Sequence, residues 1–130
     1  VNQRVAETYR KGRVLLAGDS AHLNNPLGGM GMNGGLHDGV NAAEKIIQIL
    51  NHGASEDLLD LYDRQRRPIA IEYVQAQSIR NKKNLEEKDP AVRKQRQDEI
   101  RATLDDPQKS LELMMQVSML NSINKSNSIT

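Results

Sequence analysis

The stretch Arg13-Val14-Leu15-Leu16-Ala17-Gly18-Asp19-Ser20-Ala21-His22 places a carboxylate at the end of a short apolar run. Pro26-Leu27-Gly28-Gly29-Met30-Gly31-Met32-Asn33-Gly34-Gly35 then follows with a backbone largely free of bulky side chains. The run from Arg13 to Ala17 has the β-favouring character of a short buried strand of a parallel sheet. The sheets of α/β proteins hold ligands at the carboxyl ends of their strands, and that is where Asp19 falls. A carboxylate there can accept hydrogen bonds from a sugar-like hydroxyl, while the unpaired amides of a helix opening in the glycine-rich run can receive negative charge. Both halves suit a nucleotide cofactor. Taken singly, Asp19 would read as an ordinary turn or cap residue; the ordered set is what points to a ligand.

Other candidates carry less. Gly29-Met30-Gly31-Met32-Asn33-Gly34 fits the spacing G-x-G-x-x-G, but it lies too far beyond the strand. The acids that follow at a suitable distance, Glu56 and Asp57, open a helix rather than end a second strand, so a nicotinamide-type fingerprint is rejected. His22, His37 and His52 lack metal-ligand spacing and are assigned structural roles; no metal site and no side-chain catalyst is expected. Met30 and Met32 could lie near a ligand, with core packing the plainer reading, and Met114, Met115 and Met119 read as helix packing.

The elements that must position this loop are mostly helical. Leu36, Val40, Ala43, Ile46, Ile47 and Leu50 recur at three- and four-residue intervals, which predicts one apolar helix face between about Met32 and Leu50. Asn51-His52-Gly53 ends that helix. Ser55 can cap the next, predicted from Glu56 to about Gln77 with a kink near Arg67 caused by Pro68. Asp89-Pro90 and Asp106-Pro107 each set an Asp cap before a first-turn proline, predicting helices over 90–104 and 107–120. Asn121 to Thr130, rich in Asn, Ser, Lys and Thr, is expected to fray. The fold class is thus α/β but mostly α: one short strand, a glycine-rich turn and about four helices. The expected organisation is 1–80 as the loop-bearing part, 81–122 as a helical extension and 123–130 as a disordered tail.

At 130 residues and 37% hydrophobic, the chain has room for one modest core rather than two domains. Eighteen basic and seventeen acidic side chains are interspersed, so no basic face for nucleic acid is seen. The lack of cysteine removes disulfides and thiolate metal sites, which fits a reducing cytoplasm. No apolar stretch is long enough to span a bilayer as a helix. The chain opens at Val1 rather than Met and contains neither Phe nor Trp, and we read it as a C-terminal piece of a larger domain.

The ordered pair GDSAH and PLGGMGMNGG resembles the second FAD-binding motif of the class A flavoprotein monooxygenases, the family of para-hydroxybenzoate and phenol hydroxylases. Tyr62 and Arg66-Arg67-Pro68 are similar to that family's Y-x-x-x-R-R-P helix, so the likeness covers residues 12–68 and weakens after 80. Ser20 stands where the family more often has alanine. The resemblance implies an FAD-binding Rossmann-like domain in which Gly18 and Asp19 form the carboxylate turn and Asp19 binds a ribityl hydroxyl. It places Pro26 beside the isoalloxazine ring, Gly28 and Gly29 in the turn before the helix, and the amides of Gly31, Met32 and Asn33 against the flavin N1 and C2 carbonyl region. It also implies NAD(P)H as reductant, O2 as co-substrate and a small aromatic substrate, with homo-oligomerisation left open. A halogenase or reductase on the same scaffold, or a non-catalytic piece that holds no FAD alone, are the alternatives.

Overall fold

The structure is a computed structural model describing residues 3–24, 26 and 29–130. Its N-terminal part is a pair of small antiparallel ladders. β1 (Arg4–Val5) pairs with β4 (His22–Leu23), with Val5 opposite His22, and β2 (Arg10–Lys11) pairs with β3 (Val14–Leu15), with Lys11 opposite Val14. Gly12, at φ +61°, starts the two-residue link between β2 and β3, a positive φ that hairpin turns of this length require.

This corrects the expected strand. The run from Arg13 to Ala17 contributes only Val14–Leu15 to a ladder. Its partner is antiparallel and immediately upstream, where none had been expected, and Val14 is 65% exposed rather than buried. The tight Gly12 turn folds the preceding segment back onto it, and the Leu16 amide continues the contact by donating to the Tyr9 carbonyl at 2.9 Å.

After a 3₁₀ turn over Gly18–Ser20, the described residues form six α-helices. α1 (Met30–His52) runs between two left-handed glycines, Gly29 and Gly53, and the Gly53 amide closes it by donating to the Gln48 carbonyl. α2 (Asp57–Ile69) starts where Ser55 Oγ accepts from the Asp57 amide at 3.2 Å. The helix does not break at Pro68. It continues into a π-helical stretch over Ala70–Gln75 and then α3 (Ala76–Glu86). Pro68 removes one ladder donor, and widening of the next turn is a way to re-register the remaining carbonyls without a sharp kink.

α4 (Pro90–Asp105) and α5 (Pro107–Val117) begin as predicted, with Asp89 Oδ1 accepting from the Ala91 amide and Asp106 Oδ1 from those of Gln108 and Lys109. The expected frayed tail is instead α6 (Leu120–Ser128). Polar composition misled here because α6 is held by tertiary contacts. Gln65 Nε2 donates to the Ile129 carbonyl at 2.7 Å, Lys125 pairs with Glu72, and Met119 is buried against Met30. Met119 itself has φ +64°, an uncommon value for a side-chain-bearing residue, at the corner between α5 and α6.

The core gathers Tyr9, Ala21, Ala42, Tyr62 and Ala70, with Val5, Ala6, Leu15 and Leu16 packed around them. Two of the three tyrosines supply the aromatic bulk, their ring centroids 6.2 Å apart. The apolar stripe predicted on α1 exists but does not face this core: Leu36 is 61% exposed and Leu50 76%, with Val40, Ile46 and Ile47 also exposed. The buried line is Met30, Gly34, Asp38, Ala42 and Lys45. Small residues at four-residue spacing let the Gly18–Ser20 turn and α2 approach the α1 backbone, and Asp38 and Lys45 fill the remaining polar positions.

Candidate functional site

The Gly18–Ser20 turn sits directly on α1. Gly18 adopts φ +60°, and a Cβ built on Gly35 would lie 3.0 Å from the Gly18 Cα, too near for any side chain without a shift. The approach of turn to helix thus favours glycine at 35, and the positive φ favours it at 18. Within the turn, Ser20 Oγ donates to the Ala17 carbonyl at 2.8 Å and accepts from the Ala17 amide, while the Ala21 amide donates to the Gly18 carbonyl. Asp19 points its exposed carboxylate outward, and among the described residues it makes no hydrogen bond.

Beneath the turn lies a buried polar network. Asp38 Oδ2 accepts from the Gly18 amide at 3.1 Å and pairs with His22 Nε2 at 2.9 Å, and Asp38 Oδ1 accepts from Arg66 Nε at 2.7 Å. Asn24 Nδ2 donates to His22 Nδ1 at 2.8 Å, which leaves the His22 Nε2 proton for Asp38. Asp38 and His22 are each 1% exposed and Arg66 3%. Burial pushes the Asp38 carboxyl up, but the hydrogen bonds from His22, Arg66 and the Gly18 amide and the guanidinium charge outweigh it and hold the group below the usual carboxylate range. One carboxylate thus joins the turn, β4, α1 and α2.

A second buried charge lies two turns along α1. Lys45 Nζ donates to Asn41 Oδ1 at 2.8 Å and to Gln65 Oε1 at 2.7 Å, and burial lowers its pKa. His37 is likewise lowered, by partial burial and then by the Arg66 charge. The Tyr9 and Tyr62 hydroxyls are pushed up by burial, and Tyr62 donates to the Leu16 carbonyl.

The helix start predicted to meet a ligand is open. Gly29 caps α1 with no side-chain hydrogen bond, and no acidic residue occupies the first turn, so the first amides have no capping acceptor from the Gly29 position. A Cβ at Gly29 or Gly31 would meet nothing within 4 Å, and Met32 and Asn33 are exposed. Pro26 is exposed as well, while Gly28 lies outside the described residues. Gly18 meets α1 at Gly35, with Asp19 beside it in the turn, while Gly29, Gly31, Met32 and Asn33 lie at the cap and in the first turn of that helix. These features fit an anionic, hydroxyl-bearing ligand: a free carboxylate on one side, and on the other an uncapped helix start whose glycines leave room for close approach.

A cavity of about 430 Å³ lined by Leu15, Ile46, Ile49, Leu50 and Leu59, with Arg13 and Glu56 at its edge, lies at the other end of α1, roughly 24 Å along the helix from Met30. It is apolar and separate from the turn.

Sequence reasoning missed Asp38 as a site residue. The signal was present: Met30, Gly34, Asp38 and Ala42 recur every four residues, a narrow stripe of small and polar groups beside the more conspicuous apolar one. His22, assigned a structural role, proves to be one of the donors that hold Asp38.

Comparison with known proteins bears on the same residues. The family described as FAD binding domain matches residues 1–77. Para-nitrophenol 4-monooxygenase of Pseudomonas sp. (strain WBC-3) is 43% identical over 93 residues, covering 72% of this chain and 23% of the relative. A putative polyketide hydroxylase of Streptomyces coelicolor is 56% identical over 68 residues, 52% of this chain and 11% of the relative. The crystal structure of p-nitrophenol 4-monooxygenase PnpA from Pseudomonas putida superposes with a TM-score of 0.82 at 36% identity, covering 92% of this chain and 31% of that one. The chain spans under a third of the length of any of these.

Proposed function

Because the chain belongs to the FAD-binding domain family, we propose that it supplies the flavin-contacting face of an aromatic monooxygenase that uses NAD(P)H and O2 to hydroxylate a small phenol-like substrate. The observation that carries this reading is the packing of the Gly18–Ser20 turn, with its exposed Asp19, on α1 through Gly18 and Gly35, one turn beyond the helix's uncapped start. The relatives are named as monooxygenases and hydroxylases, which favours hydroxylation over halogenation or reduction on the same scaffold.

Bound FAD supplies the redox chemistry, carrying electrons from the nicotinamide to oxygen. This chain's part is to bind and to stabilise charge. Asp19 accepts hydrogen bonds from a ribityl hydroxyl. Pro26 and Gly28 to Gly29 shape the approach to the ring, and the amides of Gly31, Met32 and Asn33 face the N1 and C2 region, where negative charge grows on reduction. No side-chain nucleophile is needed. Residues 1–80 form the flavin-contacting part and 81–122 a helical extension, and a cytoplasmic location would give access to NAD(P)H.

The test is Asp19→Ala in the full-length enzyme. Losing a charge-assisted hydrogen bond should cost about 1.5–3 kcal/mol of FAD binding, a roughly tenfold to hundredfold rise in Kd. An unchanged Kd in titrations of a folded variant would refute the assignment. Gly31→Val is a second probe: a Cβ there meets nothing within 4 Å among the described residues, and if the Gly31 amide faces the flavin the midpoint potential should drop.

A further inference from the structure

We propose that Asp38 is the positioning residue of the cofactor turn: its carboxylate sets where Asp19 stands relative to the start of α1, so that turn and helix can grip one FAD. The proposal rests on the reading of Asp19 as a flavin ligand and extends it to a residue that touches no ligand itself.

Asp19 has an exposed carboxylate with no hydrogen bond among the described residues, so its place in space is dictated by its backbone. The remaining bonds of the turn join residues 17–21 to one another, and its flanks are held elsewhere, the Ala21 carbonyl by the Ala6 amide and Leu16 by Tyr9 and Tyr62, so none of these sets the turn against α1. Two contacts tie it to α1. One is the Gly18 amide donating to Asp38 Oδ2, and the other is the Gly18 to Gly35 backbone contact. The glycines set how near the turn can come. The Asp38 bond sets its orientation, because it holds the Ala17–Gly18 peptide, one residue ahead of Asp19.

Neutralising Arg66 does not by itself require this arrangement. Asp38 Oδ1 takes the Arg66 donor, whereas the second oxygen turns to the Gly18 amide and His22. An ion pair serving stability alone could have spent that oxygen on the guanidinium's second edge in a bidentate fork. His22 and Arg66 in turn hold the carboxylate from β4 and α2, so the turn is referenced to the whole core rather than to one flexible side chain. Asparagine cannot replace it. An amide has one accepting oxygen, and its NH2 would face a donor on the other side.

The experiment is a double-mutant cycle in the full-length enzyme with Asp38→Asn, Asp19→Ala and the pair, and with Gly35→Ala as an independent variant. The readouts are FAD Kd by fluorescence titration, the visible circular dichroism of bound flavin, and Tm. Asp38→Asn should raise the FAD Kd by about tenfold or more and alter the flavin dichroism in the folded, loaded enzyme. In the Asp19→Ala background its further effect on Kd should shrink toward none, because Asp38 acts through Asp19. Gly35→Ala, which forces the turn away without altering any charge, should raise Kd in the same direction.

A folded Asp38→Asn enzyme with wild-type Kd and flavin dichroism but a lower Tm would reduce Asp38 to a buried ion pair and overturn the proposal. Effects of Asp19→Ala and Asp38→Asn that simply multiply would overturn it too. If Asp38→Asn folds too poorly to load, Gly35→Ala decides, and an unchanged Kd there counts against the proposal. Asp19→Ala separates the two levels. No effect of that variant removes the flavin assignment and this inference together, while an effect of it without one from Asp38→Asn removes only the inference.

Discussion

Asp38 and Lys45 lie seven residues apart on the same buried line of α1, and each meets a neighbouring residue of α2, Arg66 for Asp38 and Gln65 for Lys45. Their environments differ in kind. Asp38 has an opposite charge, an imidazole and a backbone amide on its two oxygens. Lys45 has only amide oxygens, and among the described residues it forms no ion pair with a carboxylate. The protein has gathered compensation around one charge and left the other partly uncompensated, as their pKa directions record: both are lowered, but for Asp38 this favours the charged form and for Lys45 it disfavours it. The lesson is that buried charge on one helix can be either an organising centre or a tolerated burden. The partners distinguish the two, not the depth.

Breaking the stronger centre should have the largest effect. Asp38→Ala or Arg66→Ala leaves its partner charge buried and unmatched, and should destabilise the protein by about 3–5 kcal/mol in chemical denaturation. A loss under about 1 kcal/mol would mean that the Asp38 centre is no more consequential than an exposed pair.

Titration sharpens the comparison next. The depressed carboxyl of Asp38 gives stability that is fully present above the unfolded value, about pH 4, and is lost as pH falls through the lower native value. The advantage of wild type over Asp38→Asn should therefore narrow below about pH 4 and stay constant above it. An advantage that widens toward acid would contradict the direction of the shift.

Lys45 should respond oppositely to removal. Lys45→Met takes away an ammonium that burial disfavours while keeping the apolar stem, so stability at neutral pH should change by no more than about 1 kcal/mol. Wild type should gain on the variant as pH rises through the interval between the lowered native pKa and that of a free lysine, because its buried ammonium is then relieved of its proton. A loss as large as that of Asp38→Ala would show Lys45 to be an organising centre as well.

The smallest effect is expected at the exposed Arg13 to Glu56 pair, which joins the strand region to the entry of α2. Arg13→Ala should leave Tm unchanged within error, because solvent screens exposed pairs and ordering two long side chains offsets what remains.

These contrasts also show where the amino-acid sequence was legible. The Gly18–Ser20 turn, the glycine-rich helix start and the Asp-Pro starts of α4 and α5 are local. A strand end, a missing Cβ or a cap acts within a few residues of itself, so its consequence can be read where it stands. The same locality made the helix end at Gly53 readable. The face that α1 buries was misjudged, since Leu36, Val40 and Leu50 outweigh Gly34, Asp38 and Ala42 in any hydropathy pattern, yet the small and polar residues are the ones the turn and α2 can approach.

By itself, then, the sequence determined that a carboxylate-bearing turn precedes a glycine-opened helix. Tertiary structure alone decided that Asn121 to Ser128 is helical and that Asp38 collects donors from Gly18, His22 and Arg66. Those outcomes depend on partners 16 to 64 residues away, from the Asp38 to His22 contact to that of Gln65 with Ile129. Side chains of middling polarity carry no mark of such partners, because burial and hydrogen bonding are properties of the assembled neighbourhood and not of the residue.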